Sequence, residues 1–91
     1  GHGEEVIRTC GTHLVVELMR QGKNPQAACE EAVRRIHKFI IQRGKDPKDI
    51  QIGFIALNKQ GEHGAFCLQK GFNYAVHDKK ANQLFPSKNL I

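Results

Sequence analysis

An α+β fold, with two helices followed by an antiparallel sheet of three or four strands, is predicted by three observations. Apolar residues recur at three- and four-residue steps through the first 43 positions. The run Ile50–Leu57 is the most apolar stretch of the chain. After it, short alternating segments are separated by Gly- and Asn-containing turns. Helices and strands that segregate along the sequence predict α+β rather than α/β architecture.

The first helix is expected over about residues 3–21. Glu4 and Glu5 fall in its first turn, where the helix dipole favours negative charge. Ile7, Cys10, Leu14, Val15, Leu18 and Met19 form its apolar stripe. Gly11 lies inside the pattern and weakens a helix by roughly 1 kcal/mol relative to Ala. It either admits a close neighbour or marks a break between two helices. Gly22 is a stop signal.

The second helix is expected over about residues 25–43. Asn24 can cap it and Pro25 suits its first position. Ala28, Cys29, Ala32, Val33, Ile36, Phe39 and Ile40 form the stripe, and the small residues at 28, 29 and 32 predict close packing. Glu30 with Arg34 and Glu31 with Arg35 have the favourable acid-first spacing.

Strands are expected over about 50–58, 62–69, 72–78 and 83–85. In the first, Ile50, Ile52, Phe54 and Ala56 share one face while Ile55 and Leu57 take the other. A strand apolar on both faces is usually covered on both. Two helices can cover only one. Asn58-Lys59-Gln60-Gly61 reads as a turn. The tail, Ser87–Ile91, reads as loose.

Composition excludes several classes. The 91 residues make one small domain or a piece of one. The net charge of +5 comes from 14 basic and 9 acidic residues that interleave without a like-charge run. That predicts a solvated basic surface rather than a nucleic-acid site. No stretch approaches the roughly 18 apolar residues of a membrane span. The start, Gly-His-Gly-Glu-Glu, has no apolar core of a signal peptide. Cys10, Cys29 and Cys67 form no metal or redox spacing and are expected to be small buried hydrophobes. The five histidines, His2, His13, His37, His63 and His77, show no ligand pattern, so neither metal nor cofactor is expected.

Candidates for chemistry are few. Thr9, Thr12 and His13 lie close on the first helix without a third group to orient them. Glu62 and His63 follow a turn. Gly1-His2-Gly3, ahead of a helix, can present backbone N–H groups to an anion or oxyanion.

Five segments carry a resemblance: Gly1–Thr9, Leu14–Met19, Asn24–Cys29, Ile52–Asn58 and Gly71–Asp78. In order and almost without gaps, residues 1–91 are similar to the C-terminal part of the β-subunit of bacterial members of the glycosylasparaginase family. These are N-terminal-nucleophile hydrolases related to plant-type asparaginases. The resemblance implies a precursor that cleaves itself before a threonine. That threonine becomes the nucleophile, its own α-amino group serves as base, and aspartate is released from a glycosylated asparagine. It implies a four-layer αββα sandwich, of which this segment would be half. The nucleophile lies upstream, so no catalytic residue falls in this segment and the isolated chain is expected to be inactive. Gly1 matches the glycine of a Thr-Gly pair that stabilises the oxyanion, with His2 and Gly3 beside it by position.

The implied partner is the upstream remainder of the same enzyme, with homo-oligomers expected and no nucleic acid or membrane partner. A soluble protein is expected; relatives are lysosomal or bacterial, and the segment carries no address. The alternative is a free-standing, non-catalytic domain that binds another chain through its uncovered sheet face. An open apolar face predicts that the isolated chain self-associates or depends on the missing segment.

Overall fold

The computed structural model describes residues 6–7, 10–71, 73–77 and 82–91, with side chains at all of these except 73–77 and 82–84. Helix α1 spans Gly11–Arg20 and α2 spans Pro25–Gln42. A 3-10 turn at Pro47–Asp49 leads into β1, Gly53–Leu57. Then follow β2, His63–Cys67, β3, Asn73–His77, β4, Asn82–Pro86, and β5, Lys88–Asn89.

The first helix is interrupted where Gly11 made a break or a close contact possible, and both occur. Val6 and Ile7 are helical. Cys10 then turns left-handed, at φ 52 and ψ 44, and α1 starts afresh at Gly11. A Cβ on Gly11 would sit 2.6 Å from Phe54 Cζ and 2.9 Å from Phe54 Cε1. The missing side chain therefore lets the helix settle onto the aromatic ring. Cys10 is exposed, which corrects its expected burial: the break swings it out of the stripe.

Both helices end in the same manner. Lys23 N–H reaches the Leu18 carbonyl and Gly22 N–H the Met19 carbonyl; Lys45 and Gly44 repeat the pattern on Ile40 and Ile41. Gly22 and Gly44 adopt the positive φ that this motif requires. At the start of α2 the Asn24 side chain accepts from Ala27 N–H at 2.8 Å, a cap that contributes about 1 kcal/mol. On its exposed side Arg35 Nε donates to Glu31 at 2.8 Å, an exposed pair that adds about 0.3–0.5 kcal/mol.

The core lies between the two helices and one face of the β1–β2 hairpin. Ile50, Ile52, Phe54, Ala56, Phe66 and Leu68 meet Val15, Leu18, Ala28, Ala32, Val33 and Ile36 there. Each large side chain buried in this way contributes about 1.5–3 kcal/mol. The strands pair antiparallel in unbroken register from Gly53↔Cys67 to Leu57↔His63. The opposite face is divided. Ala65 and Cys67 are buried, while Ile55 is 55% exposed and Leu57 68%. Two helices thus cover one face, and half of the other stays open.

The α+β class holds, but the strands do not make one antiparallel sheet. β2 pairs with β1 on one side and, in parallel, with β5 on the other. Among the described residues β3 pairs with β4 alone, in a separate two-stranded sheet. Part of the β2 edge is taken up by α2. The first turn of α2 lies against β2 at Gly64, where a Cβ would fall within 2.5 Å of Gln26 Cα and 2.9 Å of the Pro25 carbonyl carbon. Gln26 Oε1 then accepts from Ala65 N–H at 3.0 Å, in place of a neighbouring strand. Further along that edge, Lys88 and Asn89 pair in parallel beside Phe66 and Cys67. The tail expected to be loose is tied down: Leu90 N–H donates to the Cys67 carbonyl and Ile91 N–H to that of Leu68.

Two outcomes follow. Gly64→Ala forces a methyl group into backbone that cannot yield, and overpacking of this kind costs about 1–3 kcal/mol or more. Denaturant unfolding of the protein should show that loss; an unchanged midpoint would contradict the contact. For the thiols, burial pushes Cys29 up to about 11, and its Sγ faces the Gly64 carbonyl at 3.9 Å. The thiolate is the reactive form. Alkylation of the native protein near pH 8 should therefore label Cys10 and leave Cys29 and Cys67 until denaturant is added, as peptide mass mapping would reveal.

Candidate functional site

The expected oxyanion glycine, Gly1, and its neighbours His2 and Gly3 lie outside the described residues, as do Glu4, Glu5 and Thr9. What the structure places is the ground next to them. Val6 packs against the core from its partly buried position. The Cys10 amide closes back on the Ile7 carbonyl at 3.0 Å, and Gly11 rests on Phe54. Gly11, with Val6 beside it, thus sits over the middle of β1.

The other candidates do not assemble a reactive group. Thr12 and His13 are both exposed, and their side chains make no hydrogen bond among the described residues. Glu17, one turn further on, is held by Arg20 through two hydrogen bonds of 2.9 and 2.8 Å, with Gln21 adding a third at 3.3 Å. The Arg20 hydrogen bonds hold its carboxyl down to about 2. A carboxylate that acidic is too weak a base to take a proton near neutral pH. Glu62 is absorbed into the turn: its carboxylate accepts from Asn58 Nδ2 at 2.7 Å and its N–H donates to Asn58 Oδ1 at 2.9 Å. His63 meets Phe85 across a tilted ring contact of 5.4 Å. Among the described residues, no group of three or more His, Cys, Asp or Glu is placed to hold a metal ion. No helix among them is long and apolar enough to cross a membrane.

The polar residues that do organise this region are glutamines, which sequence patterning did not single out. Gln69 Nε2 donates to the carbonyls of Pro47, Lys48 and Ile50 at 2.6–3.1 Å. Gln51 and Gln69 exchange a further pair: Gln69 N–H donates to Gln51 Oε1 at 2.9 Å, and Gln51 Nε2 donates to the Gln69 carbonyl at 2.7 Å. These amides satisfy the carbonyls that the 3-10 turn leaves behind at the entrance to β1. A periodicity search passes over them because each is a lone polar residue at a half-buried position. Gln26 belongs to the same class, and its buried Nε2 has no hydrogen-bond partner among the described residues.

Beside β1, on its outer edge, lies an open groove. Thr12, Val16 and Met19 form one wall and Ile55 and Leu57 the other. A cavity of about 350 Å³ along the strand adjoins one of about 530 Å³ at its far end, by Arg20, Asn58 and Lys59. The described residues therefore supply scaffold and open surface, and no nucleophile, base and orienting group together.

Comparison with known proteins assigns the scaffold. Residues 1–85 match the family model Asparaginase_2, described as asparaginase. The chain is 71% identical over 84 residues to the N(4)-(beta-N-acetylglucosaminyl)-L-asparaginase of Elizabethkingia miricola, a match spanning 92% of this chain and 25% of that protein. It is 32% identical over 84 residues to a probable isoaspartyl peptidase/L-asparaginase 3 of Arabidopsis thaliana, 92% of this chain and 21% of that one. It is 29% identical over 92 residues to the Rattus norvegicus N(4)-(beta-N-acetylglucosaminyl)-L-asparaginase, 97% of this chain and 25% of that one. The chain spans about a quarter of the length of these relatives. With the family model covering residues 1–85, the chain belongs to the asparaginase family.

Proposed function

We propose that this chain is the C-terminal portion of an amidohydrolase that releases aspartate from N4-(β-N-acetylglucosaminyl)-L-asparagine or a closely related asparagine derivative. The nucleophile is an N-terminal threonine supplied by the part of the enzyme that precedes residue 1. The observation that carries the reading is the 71% identity to the Elizabethkingia enzyme, running through 92% of this chain. At that level the local chemistry of a segment is expected to be shared.

Residue roles follow from that reading. The Gly1 backbone N–H is assigned to the oxyanion hole, next to a threonine hydroxyl from the preceding residue. Such a donor acts where negative charge develops on the scissile carbonyl oxygen. Val6, packed against the core, and Gly11, seated on Phe54, are described positions that follow Gly1 in sequence. The upstream remainder of the enzyme is the partner, and the exposed Ile55 and Leu57 are surface that it covers. The complete enzyme is expected to assemble as a homo-oligomer.

The gene product in its full length should release aspartate from the glycosylated asparagine, and an expressed 91-residue chain should release none. Coupled detection of aspartate checks both. No release by the full-length product, with glycosylated asparagine, asparagine and an isoaspartyl peptide each supplied, would overturn the proposal in favour of a non-catalytic binding domain.

A further inference from the structure

The charge of this chain is concentrated at one end of α2. Residues 34–48 hold six bases, Arg34, Arg35, Lys38, Arg43, Lys45 and Lys48, and one acid, Asp46. That window alone carries the chain's net charge of +5, and the acids and bases outside it cancel. In the fold it is the second half of α2 and the loop that follows. Arg34, Arg35 and Lys38 are exposed. Helical geometry puts them opposite the buried stripe of Cys29, Val33, Ile36 and Ile40.

Support of the helix itself does not account for these cations. A helix dipole favours cations in the last turn, and the last turn of α2 has none. Glu31 holds Arg35, but the second expected pair, Glu30 with Arg34, does not form. Among the described residues neither Arg34 nor Lys38 makes an ion pair. Phe39, beside them, is exposed although it belongs to the apolar stripe. A groove of about 410 Å³ runs between Glu31, Arg34, Arg35, Lys38, Phe39 and Gln42.

We propose that the outer face of α2 is a docking site for an acidic polypeptide segment of a separate protein. Arg34 and Lys38 stand four residues apart, about 6 Å along the helix axis. Carboxylates at i and i+4 of a helix, or at i and i+2 of a strand, match that spacing. An apolar side chain of the same segment rests on Phe39. Other occupants fit less well. A second copy brings the same cations, and like charges face to face are repelled. Glu31 stands among the cations, held there by Arg35 at 2.8 Å. It opposes a continuous run of phosphates, whereas separate carboxylates are spaced around it. Phe39 and Ile41 flank the cations at the margins of the exposed face, where neither reaches into a lipid surface. The face points away from the sheet, on the side opposite to Ile55 and Leu57. It is therefore distinct from the surface assigned above to the remainder of the enzyme.

Fluorescence anisotropy on the full-length gene product tests this, with a short labelled peptide of glutamates and leucines as the probe. Saturable binding at physiological ionic strength is the expected result. Arg34→Glu combined with Lys38→Glu should weaken it about tenfold or more. Phe39→Ala should weaken it as well, and Lys59→Glu, which removes an exposed cation elsewhere, should leave it unchanged. Thermal unfolding of the double variant should match the parent; if it does not, Lys38→Gln alone carries the comparison, with weaker binding expected. Absence of binding, or equal binding by the parent and the charge variant, overturns the proposal. So does tighter binding of single-stranded DNA or of phosphatidylglycerol vesicles than of the peptide, which identifies another class of polyanion. Aspartate release is measured on the same sample. Release without peptide binding sinks the docking site alone, and peptide binding without release sinks the hydrolase reading alone.

Discussion

The first turn of α2 rests backbone to backbone on Gly64, and much of the structure follows from that contact. It needs a residue with no side chain on β2 and a helix that starts at a fixed place. Asn24 and Pro25 fix that start, because one caps the free N–H groups and the other is pre-shaped for the first turn. With the helix seated there, Ala28, Cys29 and Ala32 descend along the even-numbered face of the hairpin and are buried completely. Gln26, in that first turn, also takes the Ala65 N–H on the second β2 edge; β5 pairs there over two residues, and β3 pairs with β4.

The core was legible because it obeys simple periods. Ile50, Ile52, Phe54 and Ala56 alternate with Ile55 and Leu57, and burial divides them along that line. The α2 stripe is nearly as plain, although Phe39 at its margin is 49% exposed. Strand partners were not legible. Alternation predicts that 72–78 is extended and says nothing of which edge is free. That was settled by Gln26 and Gly64, two residues that carry no periodic signal. Cys10 was misplaced for a related reason: the stripe through Ile7, Cys10 and Leu14 presumes one continuous helix, and the left-handed turn at Cys10 ends that premise.

Chemistry was legible only through kinship. Residue types alone offered Thr12, His13, Glu62 and His63, and the structure finds exposed side chains, a turn closure and a ring contact at these positions. Glu17 shows how a carboxylate can look available in sequence and be committed in space, because Arg20, three residues on, holds it in a fork. Family resemblance pointed instead to Gly1, proposed to act through its backbone, and no composition argument can single out such a residue. In the proposed hydrolase, a segment of this kind serves mainly as a rigid support. Its own open apolar surface, the outer face at Ile55 and Leu57, is the negative image of what completes it.

The account therefore stands on a second polypeptide segment that carries the nucleophile. Mass spectrometry of the native particle, followed by N-terminal sequencing of every chain in it, examines that directly. A chain that begins with threonine, and whose C-terminal part contains residues 1–91, is the predicted result. A particle holding only the 91-residue chain, as monomer or homo-oligomer, would contradict the account and leave a binding domain in its place.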